Sequence, residues 1–482
     1  MILKRFYDEQ LAQASYLIGC AATGEALVID PNRDIEQYLE MANAERLRIT
    51  HVSETHIHAD FVSGARELAA RTGARLYLSG EGGRDWQYAF RNEPNVQVVH
   101  DGDGFRMGNV VVEIMHTPGH TPEHIIFFIT DGAAADQPIG VVTGDFVFVG
   151  DVGRPDLLEK AAHVAGTMEG SARDLFRSLQ RFKTQPDYLQ IWPGHGAGSA
   201  CGKGLSSIPQ STVGYERRFN WAFAIEEEAG FVDLVLTGQP EPPRYFGEMK
   251  RINRDGPRVL NANAKPAALG LAELDKLLEQ QAVIVDTRRA GEFAAQHIPG
   301  TINIPLDRSF TTWAGWLLPY DADFYLLIEA GQPHAIADAV KALARIGLDR
   351  VGGYVTDAVL SAWTESGREL QSVPQMHAAE LAAQLARGRV AVVDVRGRTE
   401  WEAGHLPGVL NIPLGYLVDH IGELAQDRPL VLLCQAGGRS AIAASLLQAR
   451  GMSRVVNLVG GFAEWQRTGH EIEQTNSALV TV

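Results

Sequence analysis

Short apolar runs separated by polar, glycine-rich stretches dominate the first part of the chain, to about position 235. Residues 26–29, 74–78, 110–115, 125–129 and 140–143 are apolar runs of strand length. Between them, residues 63–72 have the alanine and charge content of a helix, with Ser63 placed to cap it. This mixture predicts an α/β or α+β domain. The pattern breaks at 238–244, where three of seven residues are proline, and the chain stays polar and turn-rich to Pro257. That composition predicts a Pro-rich linker over 238–265.

Beyond the linker the pattern repeats. Val285-Asp-Thr-Arg288 matches Val393-Asp-Val-Arg396, and His297-Ile-Pro-Gly300 matches His405-Leu-Pro-Gly408. Glu292 and Glu400 match, as do Asn303-Ile-Pro-Leu306 and Asn411-Ile-Pro-Leu414, every pair being 108 residues apart. Each copy opens on a helix-like stretch (270–280, 377–386) followed by a buried strand, which predicts a small parallel-sheet domain. The expected domains are therefore 1–237, 266–370 and 371–482, with the linker between the first two.

A length of 482 residues agrees with three domains at roughly 150 residues each. With 43 basic and 59 acidic residues the net charge is −16, which disfavours general nucleic-acid binding. No run reaches the roughly 18 apolar residues of a membrane helix, and the charged start lacks a signal-peptide core. Three scattered cysteines, Cys20, Cys201 and Cys434, do not form a disulfide framework and fit a reducing compartment. The expectation is a soluble cytoplasmic protein without nucleic-acid or membrane partners.

In the last repeat an apolar strand, 430–433, runs into Cys434-Gln-Ala-Gly-Gly-Arg-Ser440 and then a helix-like segment. A cysteine at a strand's carboxyl end sits where open α/β folds place their sites. The loop residues Gln435, Ala436, Gly437, Gly438 and Ser440 let backbone N–H groups turn inward around an anion. The helix start and Arg439 add positive potential, favouring the thiolate and a persulfide anion on Cys434. Cys20 ends a strand-like run and is expected to be core.

Asp394-Val-Arg396, Glu400, His405-Leu-Pro-Gly408, the Cys434–Arg439 loop and Gly460-Gly-Phe-Ala-Glu-Trp465 resemble the rhodanese family of sulfurtransferases. A six-residue loop of this kind implies sulfur transfer. The first copy departs from the pattern, because Ile328 falls opposite Cys434 and Pro333 opposite Arg439. Proline also removes a donor from the cradle, so this copy is expected to be catalytically silent, with a structural or docking role.

In the first domain, a strand-like run leads into Glu54-Thr-His56-Ile-His58-Ala-Asp60-Phe61. His116-Thr-Pro-Gly-His120, Thr143-Gly-Asp145 and Trp192-Pro-Gly-His195 follow. Imidazoles and carboxylates on strand-end loops suit a catalytic transition metal. The set resembles the metallo-β-lactamase superfamily, which implies an αββα fold ahead of two rhodanese-like α/β domains with parallel sheets. Phe61 stands where dinuclear members have a ligand, so the resemblance implies one metal. Within the superfamily the likeness is to the persulfide dioxygenases, which implies one Fe(II) per chain held by His56, His120 and Asp145. His58, Asp60 and His195 then orient ligands and waters. Gly153-Arg-Pro-Asp156 resembles an element of these dioxygenases, with Arg154 either steering an anionic persulfide or organising the cavity. Cys201, in a glycine-rich stretch after His195, is expected to assist persulfide handling.

Together the resemblances imply oxidation of low-molecular-weight persulfides by O₂ to sulfite. A Cys434 persulfide then converts sulfite to thiosulfate, a chemistry of sulfide detoxification. The balance is 2 RSSH + O₂ + H₂O → S₂O₃²⁻ + 2 RSH + 2 H⁺. The alternatives are a zinc thioester hydrolase of the glyoxalase II kind fused to a rhodanese, and a non-enzymatic persulfide carrier. A homo-oligomer, dimer or tetramer, is expected.

Overall fold

The computed structural model describes residues 1–157, 159, 166–239, 241–260, 265–332 and 334–474. The chain divides into two compact units, Met1–Ala264 with Ala344–Gly347, and Lys265–Leu343 with Leu348–Val482.

The first unit holds two six-stranded sheets. One is built in chain order from β1 (Ile2–Asp8), β2 (Gln13–Cys20), β3 (Glu25–Ile29), β4 (Arg48–Ser53), β5 (Arg75–Ser79) and β6 (Val96–Val99). β1 to β3 pair antiparallel and β3 to β6 parallel. The other consists of β7 (Gly104–Met107), β8 (Val110–His116), β9 (Ile125–Asp131), β10 (Gly140–Gly144), β11 (Gln190–Pro193) and β12 (Ser211–Thr212). Both faces of these sheets are covered, so their strands read as continuous apolar runs rather than alternating ones.

Three packed clusters define the layers. Ile18, Leu27, Val112, Phe127 and Val142 fill the space between the sheets, with Cys20 among them. Tyr38 and Ala42 of the helix Glu36–Ala44, with Leu68 of the helix Ala65–Thr72, cover Val28, Val52 and Leu76 of the first sheet. Leu175 and Leu179 of the helix Met168–Phe182 cover Ile126 and Val141 of the second. The architecture is αββα. The N-cap of Ala65–Thr72 is Gly64 rather than the expected Ser63, though the Ser63 hydroxyl, one residue earlier, accepts from the Ala65 N–H at 2.9 Å.

The Pro-rich stretch is more than a linker. Residues Phe246–Asp255 form a helix, and Asn253 binds back to the first domain. Its amide donates to the His58 and Phe61 carbonyls at 2.8 and 2.7 Å, and its oxygen accepts from Ser63 N at 2.9 Å. The apolar Phe246 and Met249 are buried, which a free linker would not allow.

The second unit contains both repeats, each with an all-parallel sheet. In the first, β13 (Val283–Asp286), β14 (Ile302–Asn303), β15 (Phe324–Ile328) and β16 (Val351–Thr356) lie in the order β14-β13-β15-β16. The second has β17 (Gln375–Met376), β18 (Ala391–Asp394), β19 (Leu410–Asn411), β20 (Leu430–Leu433) and β21 (Val455–Leu458), in the order β17-β21-β20-β18-β19. The repeated motif is a structural latch. Arg288 and Arg396 each clasp the aspartate two residues earlier, with closest contacts of 2.6 and 2.7 Å. Asn303 and Asn411 each donate to two carbonyls flanking that pair. His297 and His405 stack on Phe293 and Trp401 at 3.9 and 3.7 Å.

Candidate metal centre and sulfur-transfer site

His56 follows β4, His120 follows β8, Asp145 follows β10 and His195 follows β11, so strand ends deliver all four side chains to one place. His56, His120 and Asp145 are buried, with one ligand atom of each within 4.8 Å of the others. Asp145 Oδ2 lies 3.5 Å from His120 Nε2 and 4.0 Å from His56 Nε2. The Thr55 hydroxyl donates to Asp30 at 2.9 Å, so at 2.9 Å it accepts the Nδ1 proton of His56. His120 Nδ1 donates to the Arg154 carbonyl at 3.0 Å. Both rings therefore present an unprotonated Nε2 to the centre.

Electrostatics support the same states. Burial, reinforced by repulsion from His58, pushes the His56 pKa well below the usual histidine value, and burial lowers that of His120. Burial opposes the ionised form of Asp145, but His195, His120 and His56 outweigh it and hold the carboxyl well below its ordinary range. His56 Nε2 and Asp145 Oδ2 are buried without a hydrogen-bond partner. Buried polar atoms left unpaired are costly. Two imidazole nitrogens and one carboxylate oxygen converge there, His56 Nε2 and Asp145 Oδ2 without any partner, and the set fits a divalent transition metal.

The remaining expected residues surround this centre. His58 Nε2 lies 3.1 Å from Asp30, and its ring is 4.3 Å from the buried Phe61. Burial disfavours charge on His58, but Asp30 overrides it and raises its pKa to about 9. His195 Nε2 lies 3.1 Å from Asp60 and 3.4 Å from the second oxygen of Asp145. Cys201 joins them: Asp60, His195 and Cys201 form a second buried group of potential ligands. Burial, then the charges of Asp60 and Asp145, push the Cys201 thiol up to about 12.

Arg154 is fully buried, and both its ion-pair contacts to Asp156 are short, at 2.8 and 2.7 Å. It also donates to the Ala200 carbonyl, and its own N–H reaches Cys201 O. These bonds tie Arg154 to Asp156 and to the Ala200–Cys201 backbone beside the site. Gly153 is obligatory beside it, because a Cβ there would lie 1.8 Å from the Asp145 carbonyl oxygen.

Sequence reasoning missed three contributors. Asp30 fixes Thr55 and His58, in a left-handed backbone conformation at the end of β3. His124 accepts the Asp145 N–H at 3.1 Å and stacks on His56. Asn253 ties down the His58 loop. A histidine four residues after His120 was a usable signal for His124; nothing local marked the other two.

In the second unit, Cys434 lies directly after β20. Gly437 N–H and the Ser440 hydroxyl point at its sulfur, at 3.1 and 3.4 Å. Gly461 closes the loop from behind, with φ +56°, and a Cβ there would meet the Cys434 carbonyl oxygen at 2.2 Å. Arg439 is not a free clamp, because it makes two bonds to Glu400 at 2.6 and 2.7 Å. Arg396 donates to the Gln435 side chain at 3.3 Å. Ala436 and Gly438 line a cleft of about 900 Å³ with Cys434. In the first repeat, Ile328 ends β15 where Cys434 follows β20, leaving no thiol; Pro333 lies outside the described residues.

Residues 9–195 match the metallo-beta-lactamase superfamily, and residues 270–365 and 377–468 each match the rhodanese-like domain. The chain belongs to the metallo-beta-lactamase superfamily and carries two rhodanese-like domains behind that fold. A crystal structure of a metallo-beta-lactamase from Staphylococcus aureus subsp. aureus COL is 43% identical, with TM-score 0.65, covering 74% of this chain and 99% of that one. An uncharacterized protein of Mycobacterium leprae is 30% identical over 239 residues, 46% of this chain and 97% of that one. A hydroxyacylglutathione hydrolase of Rhodospirillum rubrum is 30% identical, covering 49% of this chain and 80% of that one. No helix among the described residues is long and apolar enough to cross a membrane.

Proposed function

We propose that the chain is an iron-dependent persulfide dioxygenase coupled to a sulfurtransferase. It oxidises low-molecular-weight persulfides with O₂ to sulfite and makes thiosulfate through Cys434. The observation that carries this reading is the pairing, in one chain, of the convergent His56–His120–Asp145 group with a thiol cradled by Gly437 N–H and the Ser440 hydroxyl.

One Fe(II) would be held by His56, His120 and Asp145, and when bound it supplies the spin-permitted chemistry of O₂ with a persulfide. Thr55 and the Arg154 carbonyl keep the two imidazoles in the ligating tautomer. His58, Asp60 and His195 line the centre and orient groups around it, and the Cys201 thiol beside His195 handles the incoming sulfur. In the second unit, the donors around Cys434 hold the anionic sulfur of a persulfide. Covalent linkage keeps sulfite at high effective concentration for that sulfur. The protein works in this reading as a cytoplasmic homo-oligomer whose partners are persulfides, O₂, sulfite and thiosulfate.

Oxygen uptake on adding a persulfide to protein loaded anaerobically with iron tests the reading. Uptake is expected, and its loss in His120→Ala and Asp145→Ala. Cys434→Ser should release sulfite in place of much of the thiosulfate; undiminished thiosulfate would refute the coupling.

A second reading is favoured by the likeness to a hydroxyacylglutathione hydrolase and by the Asp60–His195–Cys201 group beside the first centre. It is a zinc thioester hydrolase fused to a sulfurtransferase. Thioester cleavage by the zinc-loaded protein without persulfide-dependent O₂ uptake would select it.

A further inference from the structure

The cleft above Cys434 is built by both repeats. Its live wall is the Cys434 loop and the start of the helix Gly438–Ala449. Its opposite wall comes from the silent repeat, through Thr287, Arg289, Asp307, Trp313 and Glu329 among others. The two walls are fixed to each other. The helix Gly438–Ala449 is buried continuously from Ser440 to Leu447, the signature of a helix covered on every face. Asn303 N–H of the silent repeat donates to Ser445 Oγ at 2.8 Å, and Trp316 meets Tyr416 edge to face at 5.4 Å.

The charges on the two walls differ in availability. Arg439 is committed to Glu400 through both of its arms. Arg289 occupies the position that is Gly397 in the live repeat, so its charge belongs to the silent copy alone. Among the described residues, the Arg289 side chain has no carboxylate or hydrogen-bond partner, and it lines the cleft. Glu329, which aligns with Gln435, adds a carboxylate to the same wall. A cleft of about 900 Å³ is also of a size that encloses a whole organic ligand, not merely an inorganic sulfur anion.

We infer that the silent repeat is the recognition wall for the organic half of the sulfur donor, a peptidic thiol persulfide whose carboxylate is held by Arg289 and whose ammonium is held by Glu329. This rests on the sulfur-transfer reading of Cys434. In the step itself, R–S–SH + Cys434–S⁻ → R–S⁻ + Cys434–S–SH. The Cys434 sulfur attacks the terminal sulfur, the donor's S–S bond breaks and a new one forms. The electron pair leaves on R–S⁻, with no net oxidation.

The test is steady-state sulfur transfer to cyanide by the full chain, run without O₂ so that oxidation is silent. Glutathione persulfide and thiosulfate serve as alternative donors, and mass spectrometry reads the sulfur on Cys434. Arg289→Gln should raise the KM for glutathione persulfide relative to that for thiosulfate about tenfold, with Arg289→Lys restoring part of it. Glu329→Gln should move the ratio in the same direction. An unchanged ratio overturns the inference, and so does an equal rise with both donors, which would mark Arg289 as a general anion attractor or a folding residue. If the wild-type Cys434 takes up sulfur from neither donor, the sulfur-transfer reading fails and the inference with it. Loading of Cys434 together with an unchanged ratio sinks the inference alone.

Discussion

Asp145 and His195 face each other across the first-domain site, Oδ1 to Nε2 at 3.4 Å, while the other oxygen of the same carboxylate turns to His120 and His56. One side chain therefore joins the His56–His120 group to the group containing Asp60 and Cys201. Asp145→Asn removes the negative charge that both groups share. Bound metal per chain, measured after gel filtration, should fall to a small fraction of the wild-type value. Asp60→Asn, outside the His56–His120–Asp145 set, should weaken retention only about 10- to 100-fold, the usual effect of a residue supporting the ligands.

Cys201 sits with Asp60 and His195, its thiol held neutral by burial and by the two carboxylates. Cys201→Ser should keep the metal but change the ratio of sulfite to thiosulfate and the amount of protein-bound sulfane sulfur. An unchanged product distribution would remove Cys201 from persulfide handling.

Glu123 accepts the Ile57 N–H at 2.7 Å, and burial raises its pKa from 4.5 to about 7. A carboxyl with a raised folded pKa gives stability that is complete below the unfolded value and is lost as pH rises through the folded one. Stability tied to Glu123 therefore declines between about pH 4.5 and about 7. Glu123→Gln should melt above the wild type at pH 8 and converge with it near pH 5, as followed by thermal denaturation across that range.

Glu400 and Arg439 form a two-bond ion pair that is partly exposed, with side-chain exposures of 41% and 24%. Exposed pairs contribute little to stability, so Glu400→Gln should cost at most about 1 kcal/mol in denaturant unfolding. Its effect should fall on function instead: Arg439 is released from the loop's flank, and the rate of sulfur transfer from Cys434 should drop.

Gly153 and Gly461 each stand where the chain passes close to a site residue's carbonyl oxygen, and Gly461 also needs a positive φ. Gly461→Ala should destabilise the second unit by roughly 1–3 kcal/mol and disrupt the Cys434 loop. Gly153→Ala should instead impair the metal centre, because Asp145 must move. The two variants separate in a paired assay of bound metal and sulfur transfer.

The sequence by itself determined whatever is written in local order. The exact 108-residue spacing gave the repeat, and the structure renders it bond for bond in the Asp286–Arg288 and Asp394–Arg396 latches. Histidines and aspartates placed just after apolar runs announced His56, His120 and Asp145, because a strand end fixes where the next residue projects. Cys434 was legible for the same reason, and so was the missing thiol at Ile328 of the first repeat.

The tertiary structure alone decided which distant groups meet. Asp30 and Asn253 reach the first-domain site from the end of β3 and from the supposed linker, and no spacing in the chain encodes those approaches. It also decided which charges are available. Arg154 and Arg439 look alike in sequence as free cations, yet one is buried against Asp156 and the other is bound to Glu400, while Arg289 of the first repeat, which lines the cleft with Cys434, has no ion-pair partner among the described residues. Periodicity fixes which face of an element is buried; the partner of a long charged side chain depends on which elements pack beside it, and that is settled only when the chain has folded.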